Sequence, residues 1–159
     1  MNQHKFSVWL KGILMGVGLC GCIVYFAVLP DIGRSTVTAY PEFAGWYWPW
    51  QIFLWLTAIP CGIALAAGWR IAVNIGRDRS FSRENARLLH RIAWLAAGDT
   101  LYFFLGNIIL LFLSMNHVGV VLISLLICFV GVAVTVVAAC LSHLVYKAAD
   151  LQEQSDLTI

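Results

Sequence analysis

Few side chains in this sequence are equipped for chemistry, and most of them lie in apolar surroundings. Asp99 is the one carboxylate inside a long apolar run. An ionised group at that depth in a bilayer costs at least about 2.5–3.5 kcal/mol, so it must face other helices and find a partner. Thr100, Tyr102, Asn107, Thr135 and Ser142 are the hydrogen-bonding residues expected to serve it. Such a carboxyl either carries protons or ions, or is a neutral, hydrogen-bonded structural group. His90 and His143 fall at a similar depth on neighbouring segments, an arrangement that suits axial ligation of a haem. No helix-spacing signature or second histidine pair supports it. The five cysteines, Cys20, Cys22, Cys61, Cys128 and Cys140, show no C-x-x-C spacing and read as small apolar packing residues. With no nucleophile–base pair, phosphate loop or metal-ligand cluster, the sequence reads as a protein that is not an enzyme.

The other polar concentration is positional rather than catalytic. Arg70, Arg77, Arg79, Arg83, Arg87 and Arg91 are six of the ten Lys and Arg in the chain, gathered around a connector at 76–91. Ser82 reads as a helix N-cap, with Glu84 in the first turn where the helix dipole favours an anion. At 100° per residue, Arg83, Arg87, His90, Arg91 and Trp94 then share one helix face. A basic stripe leading to a tryptophan suits anionic lipid headgroups, each cation contributing about 1 kcal/mol. It suits equally an acidic partner or the chain's own end. That end, 147–159, is acidic through Asp150, Glu153 and Asp156 and closes on Leu157, Thr158 and Ile159. Pairing of the end itself, Asp156-Leu157-Thr158-Ile159, with Arg83 and Arg87 would form a latch weak enough to be displaced, since surface ion pairs bring only about 0–1 kcal/mol each.

The elements that position these groups follow from composition. The 159 residues are 61% hydrophobic and 11% charged, against about 25% charged in a soluble domain. Four apolar runs, at about 6–29, 49–75, 92–113 and 119–146, each reach the ~20 residues that cross a bilayer core. The fold class is therefore all-α: an integral membrane four-helix bundle in a single domain, 1–159. If the N-terminus is cytoplasmic, Lys5, Lys11, the six arginines and Lys147 lie at the inner face, and only Arg34 lies outside. Positive residues accumulate on the cytoplasmic side, so both termini are expected there, in a multi-pass protein of the bacterial inner membrane. The net charge of +2 gives no reason to expect direct nucleic-acid binding.

Smaller features add detail. Leu19–Cys22 resembles a lipoprotein cleavage box, but apolar residues continue through Leu29, so the run reads as a permanent helix. Gly12 and Gly16 form a small-xxx-small face. It is expected to seat another helix of the chain, with a homodimer contact as the alternative. Residues 30–48 read as an outer loop punctuated by Pro30, Gly33, Pro41 and Gly45. The loop ends in Trp46-Tyr47-Trp48-Pro49-Trp50, an interfacial aromatic belt. Pro60 predicts a kink in the second span.

Two pieces together point to a family. Phe81-Ser82-Arg83-Glu84-Asn85 with Leu88-Leu89 opens the third helix, and Leu151-Gln152-Glu153-Gln154-Ser155-Asp156-Leu157-Thr158-Ile159 closes the chain. In these the chain resembles the bacterial membrane proteins grouped as domain of unknown function 2975. Gln154-Ser155 stand where the family usually has Glu-Asn. The resemblance implies no known chemistry. Members are often encoded beside a small helix-turn-helix regulator of the Cro/repressor type, which implies a membrane protein that docks such a regulator. The residues matching the family's cytoplasmic motifs are then the docking candidates: Phe81, Ser82, Glu84, Asn85, Asp156, Leu157, Thr158 and Ile159. Arg83 and Arg87 join them from the basic stripe. The rival expectations are a small transporter or proton-coupled sensor using Asp99, and a haem-binding redox protein using His90 and His143. Membrane lipid is an expected partner throughout; a second copy of the chain is another candidate. No cofactor is required by the leading reading.

Overall fold

The computed structural model describes residues 3–116 and 118–156 and is helical almost throughout. The first rod joins α1 (Gln3–Ile23), a widened π-type turn (Val24–Val28) and α2 (Leu29–Ala39). A short 3-10 turn (Pro41–Trp46) leads into α3 (Tyr47–Gly76). α4 (Arg83–Phe112) and α5 (Val118–Asp156) complete the chain. Four of these rods are long and apolar enough to cross a membrane: Gln3–Ala39, Pro41–Gly76, Arg83–Phe112 and Val118–Ser155. The all-helical, four-span reading therefore holds.

The stretch after Leu29 departs from the expected loop. Helical structure carries on to Ala39 despite Pro30. Proline lacks the N–H that would bond the carbonyl four residues back, and its ring crowds that carbonyl. The π turn lies immediately before Pro30, where a wider winding relieves this conflict. Ser35, Thr36 and Thr38 return their hydroxyls to the carbonyls of Asp31, Ile32 and Arg34, which suits polar residues to a helix. Pro60 likewise sits inside α3, which stays continuous through it.

The helices pack in chain order as an open row. Among the described residues, close backbone approach joins α1 to α3, α3 to α4, and α4 to α5. The first rod does not reach α4 or α5 in this way, nor does α3 reach α5. The seams are lined by small residues. Ser7 and Ala72 meet between α1 and α3, where the Ser7 hydroxyl donates to the Ala72 carbonyl at 2.6 Å. Ala86, Ala93, Ala138 and Ala149 are buried, along with Cys128. The Ser142 hydroxyl donates to the Ala86 carbonyl at 2.8 Å and so ties α5 to the start of α4. Most large apolar side chains face outward on this row, as lipid solvation permits.

The Gly12–Gly16 face is not used within the chain. A side-chain carbon at Gly12, Gly16 or Gly21 would meet nothing within 4 Å. α1 instead packs through Leu14 and Gly18, which face Gly68 and Leu65 of α3. The intramolecular role expected for those glycines is therefore corrected: α1 presents a different side to its neighbour.

Two chain reversals share one device. Arg79 N–H donates to the Asn74 carbonyl at 3.0 Å, and Met115 N–H to the Leu110 carbonyl at 2.9 Å. In each, the preceding residue is left-handed: Asp78 at φ 57° and Ser114 at φ 56°. This is the six-to-one closure that ends many helices, usually with glycine at the left-handed position.

Candidate functional site

The site with the most chemistry-bearing residues is the end of the row that carries the 77–82 connector, the start of α4 and the end of α5. Ser82 adopts an extended conformation, and its hydroxyl accepts from the Asn85 N–H at 3.2 Å. This is the N-cap expected from the sequence. It satisfies one of the free N–H groups at the head of α4.

Asn85 lies inside the structure, 1% exposed. Its side-chain amide donates to the carbonyls of Arg79 and Ser80, both at 3.0 Å. Its oxygen accepts from Asn74 Nδ2 at 2.8 Å. The residue thus folds the connector onto itself and pins it to the end of α3. Of the described candidate docking residues, Asn85 is the buried one, and it holds the backbone just before Phe81 and Ser82. Its role has no hydropathy signal; only its place three residues after an N-cap serine hints at it.

Arg83 gathers the tail helix. Its guanidinium meets Asp150 at 2.8 Å and Glu153 at 2.6 Å, and it also lies 5.8 Å from the centre of the Tyr146 ring. Arg70 pairs with Glu84 at 2.9 Å, linking α3 to α4. Arg83 is thus tied to α5 through Asp150 and Glu153, upstream of the end at 156–159 that the sequence offered as its partner. Arg77, Arg79, Arg87 and Arg91 have no carboxylate partner among the described residues. Phe81 is 59% exposed beside them. Arg87, His90, Arg91 and Trp94 are all exposed, in keeping with the shared stripe. Leu157, Thr158 and Ile159 lie outside the described residues, as does the side chain of Asp156.

The first rod is held to the same end. Ser80 donates to Gln3 Oε1 at 2.6 Å, and Lys11 stands 5.9 Å from the centre of the Trp69 ring. The expected haem ligand His90 is otherwise engaged: Trp94 Nε1 donates to His90 Nε2 at 2.9 Å. Ligation of a metal through that nitrogen would break this bond.

Asp99 does not have the partners expected of it. Thr100 donates to Ala96, Tyr102 to Phe53, Asn107 to Phe103, Thr135 to Gly131 and Ser142 to Ala86, each through a backbone carbonyl. Asp99 Oδ2 instead accepts from the Cys61 thiol at 3.7 Å. Oδ1 is closed off from solvent and has no partner among the described residues. Cys61 is thus more than a packing residue. Helix hydroxyls return readily to their own i−4 carbonyls, which is why Thr100 and Thr135 were poor candidates, while Ser142 is taken by the seam with α4.

Four apolar rods with charged groups gathered at their ends define a multi-pass membrane protein. The profile of the family "Protein of unknown function (DUF2975)" matches residues 31–159, and the chain belongs to that family. It is also similar to the "Uncharacterized membrane protein YoaS" of Bacillus subtilis (strain 168), at 25% identity over 161 residues that cover all of both chains. No solved structure matches. The family match begins within the first rod and takes in the connector and the tail, the two pieces that carried the resemblance.

Proposed function

We propose that this protein is a non-enzymatic docking platform of the bacterial inner membrane. Its connector and tail helix hold a small cytoplasmic protein, a helix-turn-helix regulator of the Cro/repressor type. Both termini lie in the cytoplasm on this reading, as the charge bias favours. The observation that carries it is the division of charge at the connector end. Arg83 holds Asp150 and Glu153 of the tail. Arg77, Arg79, Arg87 and Arg91 stand without carboxylate partners among the described residues, next to exposed Phe81. Cations around an apolar anchor suit a partner with an acidic rim and an apolar centre. The choice of regulator as partner rests on the family resemblance.

The test is co-purification of the full chain from membranes with the small regulator encoded beside its gene. Wild type is expected to retain the regulator. The charge reversal R77E/R79E/R87E, and removal of residues 156–159, are each expected to release it. Equal recovery from all three proteins would overturn the reading. So would a periplasmic location for a reporter fused after Ile159.

A further inference from the structure

We propose that the groove between the first and third membrane rods binds a lipophilic cation, held at Asp99. The site is distant from the connector and independent of the docking reading. α3 forms its floor, because the first rod and α4 both pack on α3 and not on each other. Tyr25 lines one side, Thr57 and Cys61 the floor, and Asp99 and Tyr102 the other side. Polar groups of three membrane-spanning rods therefore meet here.

The proton inventory shows what is missing. The Thr57 hydroxyl donates to the Leu54 carbonyl at 2.7 Å. Its single proton is then committed, so Tyr25 must be the donor in the 2.7 Å contact between the two hydroxyls. The Cys61 thiol has one proton and directs it to Asp99 Oδ2. Asp99 therefore receives one long thiol contact, and its Oδ1 receives nothing. No lysine or arginine pairs with it among the described residues. Arg91, eight residues earlier on α4, lies about 12 Å away along the axis at 1.5 Å per residue. A carboxyl in lipid with so little compensation either keeps its proton or is matched by a cation from outside the chain.

The surroundings choose the kind of cation. A metal ion prefers several anionic or carbonyl oxygen ligands, and Asp99 is the one carboxylate among the residues that line this groove. Aromatic rings stand beside it: Tyr25 and Tyr102 flank the groove, and Tyr102 packs on Phe53 at 5.1 Å, centre to centre. Ring faces attract organic ammonium and phosphonium ions. Tyr102 and Cys61 are exposed on the row, and Asp99 is half-buried with Oδ1 closed off. A ligand entering sideways from the bilayer therefore approaches the carboxyl from the Cys61 side.

The probe is tetraphenylphosphonium, measured by equilibrium dialysis against the full-length protein in detergent; triphenylphosphine oxide is the neutral control. Saturable binding is expected for the phosphonium only. Asp99→Asn should weaken it about tenfold or more, the scale of a lost charge contact. Asp99→Glu should keep most of it. In parallel, a lipophilic carbodiimide should label Asp99 in native membranes, and the phosphonium should slow that labelling; this arm needs no variant to fold. Binding unchanged in a folded Asp99→Asn protein, or labelling unaffected by the probe, would overturn the proposal. A change of oligomeric state in Asp99→Asn without phosphonium binding to wild type would also overturn it, by giving this face to a second copy of the chain.

Discussion

Asn74 and Asn85 join side chain to side chain at 2.8 Å, across the turn that separates α3 from α4. The bond is buried, and Asn85 spends its own two amide protons on the connector backbone. One side chain thereby sets how the connector, with Arg77 and Arg79, sits against the ends of α3 and α4. Removing it strands the Arg79 and Ser80 carbonyls and the Asn74 amide together. Asn85→Ala is expected to destabilise the protein by about 1–3 kcal/mol, the cost of buried groups left unmade. Thermal unfolding in detergent reads the loss, and limited proteolysis should show new cleavage within 77–82. A variant with unchanged midpoint and connector resistance would refute the positioning role.

The Arg83 clamp should behave differently. Arg83, Asp150 and Glu153 are each about half exposed, so salt and water screen their attraction, and each pair is worth about 0–1 kcal/mol. Arg83→Ala is expected to leave the unfolding midpoint nearly unchanged. Hydrogen exchange in the last turns of α5 should rise, and wild type should show the same rise at high salt. A large drop in global stability would mean that the tail is part of the folding core rather than a latch.

The spans were legible because lipid imposes a length and an absence of charge, and both are written plainly in a linear sequence. Ser82 was legible for a similar reason: a cap is a local pattern. The open row was not, because each rod is apolar nearly all round and no stripe says which side meets a neighbour. The Gly12–Gly16 pattern pointed to a seam that the chain does not use. Residues 30–39 carried two loop signals: Pro30, which a widened turn absorbed, and Gly33, which sits within α2 where a side chain would meet Tyr47. The Asp99–Cys61 contact crosses 38 residues; a cysteine among apolar residues gives no local sign that its thiol faces a carboxyl.

Gln51 is fully buried, yet neither amide atom has a partner among the described residues. It lies against Gly33 and Tyr47, near the aromatic end of α3. An unpaired buried amide is costly, and an apolar residue of similar volume avoids that cost. Gln51→Met is expected to raise stability by about 1–2 kcal/mol, read as a higher unfolding midpoint. A fall instead would show that the amide is satisfied by water or lipid in the membrane.

Ser114 holds a left-handed conformation with a side chain that disfavours it. Glycine accepts that geometry freely. Ser114→Gly is expected to stabilise the α4–α5 reversal by about 0.5–1 kcal/mol. Asp78→Gly should gain less, because aspartate tolerates the left-handed region better than serine. The order of the two midpoints is the test; a larger gain at Asp78 would contradict the conformational argument.

Gly131 and Gly12 make a matched pair for testing the seams. A methyl group on Gly131 would run into the Thr100 side chain across the α4–α5 interface. Thr100 is held there by its bond to the Ala96 carbonyl at 2.7 Å, so the helices must separate or the threonine must turn. Gly131→Ala is expected to cost about 1–3 kcal/mol, as overpacking of a tight interface does. A methyl group on Gly12 meets nothing within 4 Å in the single chain. Gly12→Ala should therefore leave the unfolding midpoint of the monomer within about 0.5 kcal/mol of wild type, or raise it slightly through better helix propensity. Both variants are measured by unfolding in detergent and by the mass of the protein–detergent complex. Equal losses at the two positions would refute the open row, because Gly12 would then have to face a helix. A loss at Gly12 accompanied by dissociation of a larger species would assign that face to a second copy.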